Sequence, residues 1–211
     1  MGIKERRERE RNARRGAILD AAMQVYHREG YHATTMEKIA EEAELSRGTL
    51  YLYFKTKDEI FVYAIVEHAG YFARLLESIF HRREKIGAGI IGELWNSFQM
   101  FYEKDPVRFD ATLYFHQGEM IRQLPDALRL MLDRSGSLNY RWLCEIAGYG
   151  IQKGYFTKCN PKTLAEVVWT SFLGIIHIEN SKKAMSRKNH HKVAWELASN
   201  LLARGLRNRE S

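Results

Sequence analysis

Cysteine, proline and long apolar runs are all scarce in this 211-residue chain, and each shortage excludes something. The two cysteines, Cys144 and Cys159, lie far apart and lack the paired spacing of a zinc site. A disulfide scaffold is not expected, and two reduced thiols fit a cytoplasmic protein. No apolar run approaches the ~18 residues that span a bilayer. The best candidate, Phe172 to Ile178, is interrupted by His177. The start of the chain mixes basic and acidic residues and has no apolar core segment, so it does not read as a secretory signal. No membrane partner is expected. Alternating apolar and polar residues are equally scarce, which argues against a sheet.

Helical spacing is what recurs. Ile18, Ala21, Ala22 and Val25 mark one face of a first helix, and Gly30 is placed to end it in a left-handed conformation. Ile60, Phe61, Ala64, Ile65, Phe72, Leu75, Leu76 and Ile79 mark a long fourth helix. Leu164, Val167, Val168, Ser171, Phe172 and Ile175 mark a late one, and Val193, Leu197 and Leu201 the last. The prolines agree with this reading. Pro106 follows Asp105 and Pro161 follows Asn160, each a capping residue with proline at the first helical position. Pro125 precedes Asp126 and opens another helix. Thr34 to Glu37 and Thr56 to Glu59 both spell a capping box, and Ser46 reads as a single N-cap. The fold class is therefore all-α: an N-terminal three-helix domain over residues 1–57, then a larger helical domain over 58–211. The fourth helix is expected to run straight out of the boundary and join the two mechanically.

The formal net charge is +7, which favours anionic partners such as nucleic acid. Its distribution is uneven. Residues 4–15 hold seven Lys or Arg against three Glu. Such a stretch is either a solvated, partly disordered tail or an arm that follows phosphates.

Between Thr35 and Phe54 two short helices flank a tight turn at Glu44-Leu45-Ser46. In the second helix Leu50 and Phe54, four apart, can anchor it to a core. Arg47, Gly48, Thr49, Tyr51 and Tyr53 are left toward the other side. Glycine permits close approach. The hydroxyls can meet phosphates, a methyl or ring can meet thymine, and Arg47 can pair with phosphate or guanine. The helix start also presents amides to a phosphate.

Here the chain resembles the tetracycline-repressor (TetR) family of bacterial regulators. The resemblance is carried by Gly30-Tyr31, Thr34-Thr35-Met36, Ile39-Ala40, Ala43, Leu45-Ser46, Gly48-Thr49-Leu50-Tyr51, Tyr53-Phe54-Lys55 and Lys57-Asp58-Glu59-Ile60, over roughly residues 14–62. It implies an all-helical homodimer that binds palindromic operator DNA and releases it when a small-molecule effector occupies the C-terminal domain. It also implies DNA-facing positions at Thr35, Arg47, Gly48, Thr49, Tyr51, Tyr53 and Lys57. Two departures stand out. The family usually has glycine where this chain has Glu44, and a Tyr-His pair where it has Leu52-Tyr53. A left-handed backbone at Glu44 costs about 1 kcal/mol.

Other motifs carry less. Gly87 to Gly92 spells G-x-G-x-x-G, but no strand precedes it, so no dinucleotide site is expected. His116 and Glu119 could share a helix face, yet nothing completes a metal site. No catalytic constellation is found, and neither enzymatic activity nor a cofactor is expected. Residues 95–172 are rich in aromatics. Most such residues form core, but an effector cavity would draw on them. The candidates are Trp95, Phe98, Tyr102, Tyr114, His116, Glu119, Trp142 and Trp169, which lean toward an apolar or aromatic ligand. The last two helices offer Val168, Phe172, Ile175, Ile176, Val193, Leu197 and Leu201, either for a two-fold interface or for the internal core.

Overall fold

The computed structural model describes residues 2–116, 118–186 and 191–206, and no strand occurs among them. The helices in order are α1 (Ile3–Ala33), α2 (Met36–Glu42), α3 (Arg47–Tyr53), α4 (Lys57–His81), α5 (Arg83–Ile86), α6 (Ile90–Lys104), α7 (Pro106–Phe115), α8 (Gly118–Gln123), α9 (Asp126–Gln152), α10 (Pro161–Ser186) and α11 (His191–Gly205). A 3₁₀ turn at Gly87–Gly89 sits between α5 and α6. The glycine-rich motif is therefore a break between helices.

The chain divides into two compact units, and not at residue 57. One contains Met1–His68 together with Asp105–Arg134; the other contains Ala69–Lys104 and Ser135–Ser211. The division falls inside α4 and inside α9. The reason is visible in the first unit's core. Ile18, Ala22 and Tyr26 of α1, Ile39 and Ala40 of α2, Leu50 of α3 and Phe61 of α4 pack with Ala111 and Phe115 of α7 and with Leu124. Phe61 stacks on Phe115 at 5.7 Å between ring centroids, and Tyr26 meets Phe61 edge-on at 5.4 Å. Each buried phenylalanine contributes about 1.5–3 kcal/mol, an upper figure because unfolded chains already bury some surface. Polar bonds reinforce this packing. The Tyr26 hydroxyl donates to Asp110 at 2.9 Å, and Arg108 reaches Asp20 at 2.7 Å.

The basic arm is the first part of α1 rather than an irregular tail. Arg6 pairs with Glu10 one turn on, and such exposed pairs add a few tenths of a kcal/mol. Arg15 has its guanidinium 4.3 Å from the Tyr63 ring centroid and 4.9 Å from that of Phe54, so this cation covers the core edge.

The second unit is built on aromatic stacking. Phe72 of α4 stacks on Phe101 of α6 at 4.5 Å, Phe98 on Phe172 of α10 at 4.9 Å, and Trp95 lies 4.5 Å from Trp195 of α11. Asp105 and Asn160 cap α7 and α10 as expected, accepting from the Arg108 and Lys162 amides at 2.9 Å.

Candidate nucleic-acid interface

The entry to α2 differs from the sequence expectation by one residue. Thr35, not Thr34, is its N-cap, accepting from the Lys38 amide at 3.3 Å. Thr34 is fully buried and faces backwards. Its hydroxyl donates to the Gly30 carbonyl at 2.8 Å, and its amide is shared between Gly30 and Tyr31. Gly30 takes a positive φ of 78° as expected, but its ψ of 170° is extended rather than left-handed helical. The chain thus breaks at Gly30, adds one short turn and leaves orphan carbonyls that Thr34 must serve.

Lys57 serves them too. Its ammonium donates to the Tyr31 and Thr34 carbonyls at 2.9 and 3.0 Å and lies 4.3 Å from the Tyr31 ring centroid. Burial holds its pKa below the usual lysine value. Two of its three donors are spent inside the domain. Lys57, expected to face DNA, thus has one donor left for an outside partner. Beside it, the Tyr31 hydroxyl donates to the Asp58 carboxylate.

The turn between α2 and α3 explains Glu44. The Leu45 amide reaches back to the Ala40 carbonyl at 2.8 Å, and the Glu44 amide to Glu41 at 3.0 Å. This pair of bonds is a Schellman motif, which demands a left-handed residue at its centre. Glu44 supplies it with φ 53°, the one positive φ outside glycine among the described residues. The left-handed conformation is adopted here and the non-glycine strain is tolerated.

Helix α3 then begins at the expected cap. The Ser46 hydroxyl accepts from the Thr49 amide at 3.1 Å and meets the Thr49 hydroxyl at 2.8 Å. The Thr49 amide is therefore not free for a phosphate. Leu50 and Phe54 are fully buried and lock α3 to α2 and α4. Arg47 and Gly48 are exposed, and Tyr51 is exposed at its edge. Arg47 lies 3.4 Å from Glu37, an exposed pair that can exchange partners. The Glu37 carboxyl is held below its ordinary pKa, first by its own backbone amide and the Thr35 hydroxyl, then by Arg47. Tyr53 is only half-exposed and packs on the core cluster. Two further exposed groups belong to this stretch. Leu52 is 76% exposed, and the Lys55 ammonium donates to the Tyr51 carbonyl at 2.7 Å at the end of the same helix. At the next cap the Thr56 hydroxyl accepts from the Glu59 amide at 3.1 Å, while Glu59 reaches back to Lys55 rather than to Thr56.

This arrangement is a helix-turn-helix: one short helix braces a second whose outer face is solvent-open. Residues 18–64 match the family described as bacterial regulatory proteins, tetR family. Residues 18–64 are thus a segment of that family's kind. It is 42% identical over 60 residues to the fatty acid metabolism regulator protein of Bacillus subtilis, a match spanning 28% of this chain and 31% of that protein. The chain thus aligns with less than a third of that relative's length. Among solved structures, the fatty acid degradation regulator FadR from Bacillus halodurans superposes with a TM-score of 0.73 at 24% identity, covering 93% of this chain and 97% of that one. FadR from Bacillus subtilis in complex with stearoyl-CoA gives 0.69 at 23% identity, covering 90% and 98%. At such identity these likenesses speak to the fold alone, which extends over nearly the whole chain.

The remaining candidates are distributed over both units. Of the eight expected effector residues, Tyr114, His116 and Glu119 belong to the first unit. The Tyr114 hydroxyl lies 3.0 Å from His32, and its ring packs against Tyr31 at 5.3 Å. His116 and Glu119 are exposed, and His116 bonds the Thr112 carbonyl at 2.7 Å. Trp95 and Phe98 of the second unit are buried, and the half-buried Trp169 stacks on Phe72 at 5.6 Å. Tyr102 donates to Asn180 at 3.1 Å, and Trp142 lies against Phe80 at 5.4 Å. Trp95 keeps one buried feature of interest, an indole N–H with no hydrogen-bond partner. An open groove of about 700 Å³ in the same unit is lined by Phe80, Arg83, Cys144, Tyr149 and Lys162, among others, and by none of the expected residues.

The expected interface residues split in the same manner. Val168, Phe172 and Ile176 are almost fully buried within the chain, so they are internal core. Ile175 is half-buried. Val193, Leu197 and Leu201 are exposed by 58% or more, and α10 adds Val167 and Ile178 to the exposed apolar set.

Proposed function

We propose that this protein is a homodimeric, cytoplasmic DNA-binding transcriptional repressor, released from a palindromic operator by a small, largely apolar or aromatic ligand. The observation that carries the DNA reading is the outer face of α3, held by fully buried Leu50 and Phe54 and capped by Ser46. Arg47 and Tyr51 supply contacts to phosphate and base edges on that face, with Thr35 and Tyr53 at its margins. The helical arm rich in Lys and Arg adds sequence-independent attraction. The exposed stripe Val193, Leu197 and Leu201 supports pairing of two chains, which brings two short recognition helices to one palindrome. An apolar effector is supported by the aromatic second unit and by the names of its relatives, one regulating fatty acid metabolism and another complexed with stearoyl-CoA. The ligand acts only through unequal affinity for the DNA-competent and released states.

The test begins with selection of bound duplexes from a random pool by the full chain. The expected product is a palindrome whose affinity falls steeply with salt. Arg47→Ala and Tyr51→Ala weaken binding at least ten-fold with the dimer intact, and stearoyl-CoA titrated into the complex releases the duplex. Unchanged binding by both variants rejects the site. Stearoyl-CoA without effect rejects an acyl thioester as the ligand.

A further inference from the structure

Leu52 is the most exposed large apolar side chain among the described residues, at 76%. Single exposed leucines are ordinary on protein surfaces. Its position is not ordinary. At 100° per residue, Leu52 points away from the Leu50 and Phe54 stripe that anchors α3, and Gly48 and Thr49 lie one turn before it on the same side. These three residues form the centre of the outward face, with Tyr51 and Tyr53 at its two edges.

The chemistry of that centre is apolar. Gly48 has no side chain, and a Cβ there would meet only the Ser46 hydroxyl, at 3.9 Å, so the surface beside Leu52 is open. The Thr49 hydroxyl is engaged by Ser46 at 2.8 Å. Leu52 can neither pair with a phosphate nor hydrogen-bond a base edge. The one apolar feature presented by a base pair in the major groove is the C5-methyl of thymine.

We infer that Leu52 is a specificity-determining residue that reads a thymine methyl at one fixed position of each operator half-site. The inference rests on the DNA reading above and deepens it. Gly48 sets the approach distance, and Leu52 buries the methyl between itself and the groove wall. The tyrosines at the edges of the helix position the backbone.

The selected duplex provides the probe. Its half-sites are expected to share an invariant thymine. Replacing that thymine by uracil, which lacks only the methyl, lowers wild-type affinity about four-fold per half-site, the effect of one buried carbon. Leu52→Ala removes both the preference and the sensitivity to uracil. Leu52→Gln moves the preference toward adenine, whose edge glutamine can bond twice. At 76% exposure neither change should alter the melting temperature, and circular dichroism checks this. A selected duplex indifferent to uracil at every thymine overturns the inference while leaving the DNA reading standing. So does a Leu52→Ala protein that keeps the wild-type preference. A pool with no enriched sequence overturns the DNA reading and the inference together.

Discussion

Lys57 holds Tyr31 from two directions, donating to its carbonyl at 2.9 Å while lying 4.3 Å from its ring centroid. This one side chain closes the break that Gly30 opens in α1 and ties it to the start of α4. Lys57→Met keeps the apolar stem and removes the donors. The expected outcome is a loss of about 1–2 kcal/mol in urea unfolding, from carbonyls left without a charged partner. The slope of DNA affinity against salt should hardly change. A slope reduced by about one unit, with stability intact, would instead make Lys57 a phosphate contact.

Tyr26 and Tyr31 are both pushed well above the ordinary tyrosine pKa, by burial first and then by the carboxylates of Asp110 and Asp58. In the unfolded chain these phenols ionise near pH 10. Above that pH the folded state therefore binds more protons than the unfolded state, and stability falls as pH rises further. The melting temperature should decline from about pH 10 upward. Tyr26→Phe and Tyr31→Phe should each flatten that decline. Phenolate absorbance should show that these two of the eleven tyrosines titrate only as the protein unfolds.

Glu44 occupies the left-handed centre of the Schellman turn at φ 53°. Glycine takes this conformation without a Cβ penalty, although it loses more backbone entropy on folding. Glu44→Gly should raise stability by about 0.5–1 kcal/mol in chemical unfolding. A destabilised variant would mean that the Glu44 side chain contributes something beyond its backbone conformation.

Local rules were legible in the sequence, and long-range packing was not. Ser46, Thr56, Asp105 and Asn160 all cap through atoms two or three residues ahead, so spacing alone places them. Thr34 and Thr35 present the same pattern, and only the break at Gly30 decides which one faces forward. That α7 packs on α1 depends on Ala111 and Phe115 meeting Tyr26 and Tyr31 from some 80 residues away, and no periodicity encodes that. In α10, Val167 and Val168 are adjacent and equally apolar, yet one is 47% exposed and the other 1%. A helix apolar on several sides does not announce which side its own chain covers. Leu52 was legible from the helical wheel, but the neighbouring tyrosines, with more recognisable chemistry, concealed it.

The last helix presents Val193, Leu197 and Leu201 at successive turns, each more than half exposed, and α10 exposes Val167 and Ile178. Apolar surface repeated along a helix is better explained by a partner than by chance. A second copy suits the proposed reading of a palindrome, because each half-site would take an identical surface. Leu197→Glu places a charge in the middle of the α11 stripe without touching the packed core. The expected result by light scattering is a shift from dimer to monomer at micromolar concentration, with helical content unchanged. Affinity for the selected palindrome should fall at least a hundred-fold, since a lone α3 contacts few bases. Binding to a single half-site, already weak, should change little. A Leu197→Glu protein that remains dimeric would move the interface away from this stripe, and the exposed α10 residues Val167 and Ile178 would be the next to substitute.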